Sequence, residues 1–435
     1  MNKLILQNKI KKTKTFSDLF EIPWEILQNK KCEKGCGKGL KIVILNTPCN
    51  GFGDLMFAHK LAALLRDRYG CRVDIASTLP DKLTLLGESK KNIVALKTKN
   101  NDNECRRFQY LDKSGFKIKY DLMFVAPVNQ DYSVNFRDVK HLISYSNKFN
   151  TFFFSEYNDD LEKGFDFPTG VGKGYFGLLL TKPKIKSIRR KYPYALAYIA
   201  GAPGDTQIPL WRNCIFGFVQ MIAKKYKSNK VFEIIGPQSS LKYVFGLNIS
   251  KLNKFIGKYF GTIQFISKNP KDKDKLVTKT KVINNKTNTL ILNTSVFPVP
   301  NAKMLSLMKY SVKDILLTGD QSITDGLSCC PNKNIWYQTV PWKYDFVDNL
   351  AEEMPNKYLK EMKTSCGTVK TTQFKSNYKK FIAENNFSKN ASKKLNGVIL
   401  AAKESKKKSS WVSKYEKEVL SVRGIRQFKK NVGII

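Results

Sequence analysis

Residues 40–77 constrain the fold more than any other stretch of the chain. Leu40-Lys-Ile-Val-Ile-Leu-Asn46 is apolar and β-branched, with Gly39 before it and the turn residues Pro48, Asn50 and Gly51 after it. The stretch Leu55–Arg66 then places apolar residues at helical spacing, Gly70 stops it, and Arg72–Ser77 reads as a second strand. Strand, Gly-rich turn, helix, strand is a βαβ unit, in which the helical crossover joins two parallel strands. Apolar runs at Ile93–Leu96, Leu122–Pro127 and Thr151–Phe154 continue that alternation.

The same pattern begins again at Ala195–Gly201. An amphipathic helix at 208–226, a strand at Val231–Gly236 and a helix near 239–247 come next. After a Lys- and Asn-rich insertion at 250–287, the order is strand Thr289–Asn293, helix Asn301–Tyr310, strand Asp314–Thr318, short helix 322–329 and strand Asn334–Gln338. The expected architecture is α/β, with two Rossmann-like domains facing across a cleft and a basic helical C-terminal extension. The expected boundaries are a basic lead-in at 1–39, an N-terminal unit at 40–190, a C-terminal unit at 191–350 and the helical extension at 351–435. With 435 residues, each unit has enough chain for its own core.

Composition narrows the class. No apolar run approaches the roughly 18 residues of a membrane span, and the Lys-broken start lacks a signal-peptide core. Nine cysteines in such a chain are read as reduced thiols, which places the protein in the cytoplasm, or in the host cytoplasm for a virus. Lys and Arg number 76 against 36 Asp and Glu, a formal charge of +40. That field attracts nucleic acid, anionic membrane or phosphorylated substrates. It also fits solvated surfaces drifting toward Lys in an AT-rich genome, such as that of a large DNA virus.

Two turns can carry chemistry. Gly51, Gly53 and Asp54 occupy the turn after the first strand, at the carboxyl edge where open α/β sheets bind ligands. Asp54 is either a helix cap or a general base facing the cleft, and His59 on the same helix is its neighbour in sequence. In the second unit, Gly319 ends a strand, and Asp320, Gln321, Ser322 and Asp325 open the next helix. Its first N–H groups, at Gln321, Ser322 and Ile323, are expected to face open space and hold a diphosphate without a metal. The alternative is an ordinary strand-to-helix corner with a capping Ser. Gly236 and Gln338, at other strand ends, and Lys343, a phosphate-neutralising cation, complete the set. Cys32 and Cys36 have no second pair at zinc-site spacing, and Asp272-Lys-Asp274 reads as a solvated turn. Tyr132 and Glu156-Tyr157-Asn158 are candidates for the acceptor side.

At the two Gly turns the sequence resembles GT-B glycosyltransferases. The first turn is similar to that of protein-arginine rhamnosyltransferases and lipopolysaccharide heptosyltransferases. This resemblance implies Asp54 as catalytic base and Asp320, Gln321, Ser322 and Asp325 as donor-binding residues. Gly201 and Gly204, in the turn after the strand beginning at Ala195, correspond to the turn bordering the donor phosphates. The implied activity is metal-independent, inverting transfer from a nucleoside-diphosphate sugar, with no cofactor and with domain closure excluding water. Two other readings accompany it: an inactive scaffold gripping nucleic acid through its basic surface, and a sugar-nucleotide 2-epimerase. The run Lys403–Lys417, with Trp411 and Tyr415 among lysines, is either a solvated helix or a strand-stacking tail.

Overall fold

The computed structural model describes residues 24–48, 51–97, 120–128, 150–181, 183–199, 208–338, 343–354, 360–363, 370–375 and 379–419. Its first sheet has six parallel strands: β1 (Lys41–Asn46), β2 (Arg72–Ser77), β3 (Ile93–Ala95), β4 (Leu122–Val125), β5 (Asn150–Tyr157) and β6 (Phe167–Thr169). They lie in the order β3-β2-β1-β4-β5-β6, the doubly wound arrangement in which the chain reverses direction beside β1. Helix α1 (Gly53–Tyr69) connects β1 to β2, ends on Gly70 in the left-handed conformation and buries Leu55, Phe57, Leu61 and Leu65.

Nine strands form the second sheet: β7 (Tyr194–Ala197), β8 (Val231–Ile235), β9 (Thr262–Lys268), β10 (Leu276–Val282), β11 (Thr289–Asn293), β12 (Asp314–Leu317), β13 (Asn334–Gln338), β14 (Lys360–Lys363) and β15 (Lys370–Lys375). The parallel core runs β9-β11-β8-β7-β12-β13. β11, β8, β7, β12 and β13 repeat the winding of the first sheet. The connections between these strands include four helices: α2 (Ile208–Lys225), α3 (Gln238–Phe245), α4 (Asn301–Tyr310) and α5 (Asp320–Cys329). The two doubly wound sheets expected from the sequence are therefore present.

Two expectations are corrected. The Lys-rich insertion is not a loop: its alternating run Thr-Ile-Gln-Phe-Ile-Ser-Lys buries Ile263 and Phe265 and forms β9, with β10 folding back on it antiparallel. Beyond residue 350 the chain is not wholly helical, because β15 pairs antiparallel with β13 and β14 with β15. Further on, helix α6 (Ser392–Val419) returns to the first unit. Leu395, Val398, Ile399 and Ala402 enter the core, Tyr69 donates to Asn396 at 3.0 Å, and Arg68 donates to the Ser388 carbonyl at 2.6 Å. These turns precede Lys403, where the run read as a solvated helix or a stacking tail begins.

A third correction concerns the thiols. Cys32 and Cys36 are joined in a disulfide across a short turn, with their Cα atoms 5.7 Å apart. Cys71, Cys214, Cys329 and Cys330 are buried. No helix among the described residues is long and apolar enough to cross a membrane.

One core cluster spans both units, joining Phe57, Phe154 and Phe167 of the first to Tyr337, Phe346 and Leu350 of the second. The rings of Tyr157 and Phe346 meet at 5.5 Å. Leu395→Ala or Ile399→Ala, each removing a fully buried side chain from α6, should cost about 2–4 kcal/mol in urea unfolding. A loss below about 0.5 kcal/mol would show that α6 does not contribute to this core.

Candidate functional site

The carboxyl edges of the two sheets face each other, and one lysine spans them. Glu156 lies near the end of β5 in the first sheet, while Asp320 opens α5 at the end of β12 in the second. Lys343 Nζ sits 2.6 Å from Glu156 Oε2 and 2.9 Å from Asp320 Oδ2. Burial works against the Lys343 ammonium, but the two carboxylates outweigh it and hold its pKa well above the ordinary lysine range. Asp320 shifts upward: burial disfavours its charge and Glu156 repels it, against the attraction of Lys343. A second link joins the helices that start at these edges. Lys60 of α1 and Asp325 of α5 pair at 2.6 Å with side chains only 3% and 5% exposed.

Asp54 sits in the first turn of α1. The N-cap position is Phe52, which makes no side-chain cap, so Asp54 lies two residues inside the helix. The turn is fixed by buried Asn46 at the end of β1. Its amide nitrogen donates to the carbonyls of Asp54 and Ala126, each at 3.0 Å. His59 belongs elsewhere. Five residues along a helix is a rotation of about 140°, and its Nδ1 meets Glu88 Oε2 at 3.0 Å. Because an ionised carboxylate only accepts, Nδ1 carries the proton in this pair. Arg66 and Asn92 also donate to Glu88. Burial alone would raise the Glu88 pKa, yet these donors bring it down to about 2.

The turn at Gly319 has φ 78° and ψ 149°, a conformation that strains any side chain with a Cβ. The helix start behind it is less open than the sequence suggests. Gln321 and Asp325 are buried, and the Ile323 N–H is already donated to the Gly319 carbonyl at 3.2 Å. Ser322 remains half-exposed. Three buried acceptors near this turn, Asp320 Oδ1, Gln321 Oε1 and Gln338 Oε1, have no hydrogen-bond donor among the described residues.

An open cavity of about 420 Å³ lies at the same edge of the second sheet, on the other side of β7. Tyr198 and Ile199 follow β7, Pro237-Gln238-Ser239 begins α3, Lys268 ends β9, and Thr294, Phe297 and Pro298 follow β11. The rings of Tyr198 and Phe297 stack at 5.9 Å, giving the cavity a flat apolar wall. Gly236 is required beneath it, since a Cβ there would lie 2.5 Å from the Ala197 carbonyl oxygen. The half-buried Lys268 and the N-terminus of α3 supply positive potential.

The structure thus groups Asp320, Gln321, Asp325, Gln338 and Lys343 at the junction, Gly236 beneath the cavity, and Asp54 with Gly51 and Gly53 at the opposing edge. Gly201, Gly204 and Tyr132 lie outside the described residues. Tyr198, Lys268, Phe297 and the partners Lys60 and Glu156 of the ionic links are what sequence reasoning missed or misassigned. Two signals were available: a lysine set among the apolar residues of α1, and an aromatic-proline pair just after a strand. Asp272 and Asp274 sit at the β9–β10 tip, where Asp272 pairs with Lys275 at 3.2 Å as a solvated turn.

No family model matches the chain, and no curated protein matches it. Among solved structures it is similar to a glycosyl transferase family 9 protein from Veillonella parvula, at 10% identity and TM-score 0.36 over 75% of this chain and 93% of the other. It is also similar to a glycosyltransferase from Rickettsia africae (11%, TM-score 0.35, 87% and 98%). A third, from Listeria monocytogenes, is assigned as a UDP-N-acetylglucosamine 2-epimerase (10%, TM-score 0.36, 83% and 90%). Likeness of this size identifies neither a family nor a reaction.

Both ionic clusters should register in stability. Lys343→Ala leaves two largely buried carboxylates without a counter-charge and should cost about 3 kcal/mol in denaturant unfolding, part of which Lys343→Ala/Asp320→Asn recovers. A single variant as stable as the parent would show the bridge to be inert. The depressed Glu88 pKa adds stability that is complete above the ordinary value of 4.5 and is lost as pH falls from 4.5 toward 2. Glu88→Gln should therefore lower stability by about 2–3 kcal/mol at pH 7 and flatten that acid limb, as read by urea unfolding across pH.

Proposed function

We propose that the chain is a glycosyltransferase that moves a sugar from a nucleoside-diphosphate donor to an acceptor held by the first unit. The observation carrying this reading is the Lys343 bridge. It sets the ligand-binding edges of two doubly wound units against each other, one offering a carboxylate in a Gly turn and the other a cavity with an aromatic wall. The donor base would lie against Tyr198 and Phe297. Its phosphates would run from the α3 N-terminus and Lys268 toward Gly319 and Ser322. Asp320, Gln321 and Gln338 offer buried acceptor oxygens that a hydroxyl-rich sugar would satisfy, relieving about 1–3 kcal/mol for each unpaired group.

In the proposed reaction Asp54 takes the proton of the acceptor nucleophile as that atom attacks the anomeric carbon. The bond from this carbon to the diphosphate oxygen breaks, and the diphosphate leaves with the electron pair, so the configuration inverts in one step. Backbone N–H donors and Lys268 stabilise the departing charge. The junction pairs Lys60–Asp325 and Lys343–Glu156–Asp320 hold the units together on this side, so water is excluded by a fixed contact rather than by a wide closing motion.

Two measurements test the proposal. A panel of nucleoside-diphosphate sugars should contain one that raises the melting temperature in proportion to occupancy, and Phe297→Ala with Ser239→Pro should abolish that shift. Asp54→Asn should keep the shift but lower transfer by about two to four orders of magnitude. Unchanged turnover in Asp54→Asn would remove Asp54 as base. Conversion of the donor with no acceptor present would favour epimerisation.

A further inference from the structure

The segment 183–193 joins the two units as an extended strap. Ile185 and Ile188 pack against the shared core, while Lys184, Lys186, Arg189 and Lys191 are exposed. None of the four has a carboxylate partner among the described residues, and Lys191 lies over the Tyr192 ring at 5.2 Å. Arg190 does the opposite. It turns onto buried Glu233 of β8, with Nε 3.2 Å from Oε2 and Nη2 2.5 Å from Oε1, and Asn293 of β11 donates to the same carboxylate at 2.6 Å. Arg190 therefore pegs the strap to the sheet, its charge cancelled, and four uncompensated cations are left on the outside.

Beside the strap runs one face of the second sheet, closed at β8 and β11, where Glu233, Ile291 and Asn293 are buried, and open toward the β9–β10 hairpin. Phe232, Ile234, Leu290, Leu292, Ile263 and Phe265 point to the face buried in its own core cluster. The alternate residues Glu233, Ile291, Asn293 and Ile266 point the other way and, with Arg189–Tyr192, line an open recess of about 310 Å³. The same face continues over the β9–β10 hairpin through Leu276, Thr278, Thr280 and Val282, all exposed, with Leu276 at 60% and Val282 at 66%. Doubly wound sheets are ordinarily covered on both faces. Here the strap lies on this face with a line of cations, and the carboxylate beneath it, Glu233, is already paired with Arg190.

We propose that the strap and the recess beside it bind single-stranded nucleic acid. Phosphates would be met by Lys184, Lys186, Arg189 and Lys191, whose spacing of two or three residues on an extended chain is about 7–10 Å. A base would enter the recess over Ile266 and Ile291 and stack on Tyr192, whose half-buried ring borders it. Charge complementarity selects this partner: a chain of net charge +40 presents here four exposed cations without carboxylate partners among the described residues, beside a recess in which Tyr192 and Ile266 offer apolar contact. The recess adjoins the cavity of the proposed transfer site, Thr294 of the cavity donating to the Ile266 carbonyl at 3.0 Å, and neither reading requires the other.

The test uses the full chain with fluorescein-labelled oligo-U and oligo-dT 20-mers, measured by anisotropy from 50 to 300 mM salt. Each phosphate contact contributes about −0.7 to the slope of log K against log salt. Replacing Lys184, Lys186, Arg189 and Lys191 by Gln should flatten the slope by about 3 and weaken binding at least tenfold at 100 mM salt. A control replacing the exposed lysines 90, 91, 389 and 393 by Gln removes the same charge and should change the slope by less than 1. Tyr192→Ala should weaken binding several-fold at unchanged slope. The proposal is overturned if both quadruple variants lose equally, if the strap variant binds like the parent, or if labelled polyglutamate of the same length binds as tightly as the oligonucleotides. Because all eight side chains are exposed, equal melting temperatures across the set confirm that folding is not the cause.

Discussion

The Lys343 ammonium between Glu156 and Asp320 is the interaction on which the arrangement of the molecule depends. Each partner comes from a different part of the chain: the end of a first-sheet strand, the start of a second-sheet helix, and the segment after the last parallel strand. An ion pair of this kind is a weak source of net stability, because desolvation offsets much of the attraction. Its value is positional. Only one relative placement of the two units satisfies both carboxylates, and Lys60–Asp325 imposes the same placement a second time. Tyr157 against Phe346 fills the space between them.

That placement gives the carboxyl edges a division of labour. In the second unit, the half of the edge at β12 and β13 is spent on the junction, and the half at β7, β8 and β11 keeps the cavity. Helix α5 serves the contact with α1, and α3 presents its N-terminus to open space. The Gly319 turn therefore serves packing first, and its remaining polar capacity is the set of acceptor oxygens left on Asp320, Gln321 and Gln338. Two units of the same winding thus come to use the corresponding corner differently.

Much of the framework was legible because parallel strands buried on both faces leave a strong apolar record. Arg72–Ser77, Thr289–Asn293, Asn301–Tyr310 and Asn334–Gln338 fall on the elements expected. β9 was missed because its alternation hides among lysines, each pleat showing water one polar side chain. The strands β14 and β15, at the end of the sheet, were missed because they carry Lys and Thr that read equally well as a polar helix. In the site, the Gly turns announced themselves through local backbone demands. Lys60, Glu156 and Lys343 did not reveal their pairing, since a partner 187 positions away leaves no local trace. Nor did His59 reveal its pairing with Glu88, 29 positions away.

The return of α6 to the first unit matters for biosynthesis. Arg68 meets Ser388 across a sequence separation of 320 residues, and Tyr69 meets Asn396 across 327. The groove that receives Leu395 and Ile399 is formed by residues made early, yet its filler leaves the ribosome only after the entire second unit. During translation the first unit must wait with that apolar trough uncovered, so the growing chain is most exposed to chaperones and to aggregation before the final segment emerges.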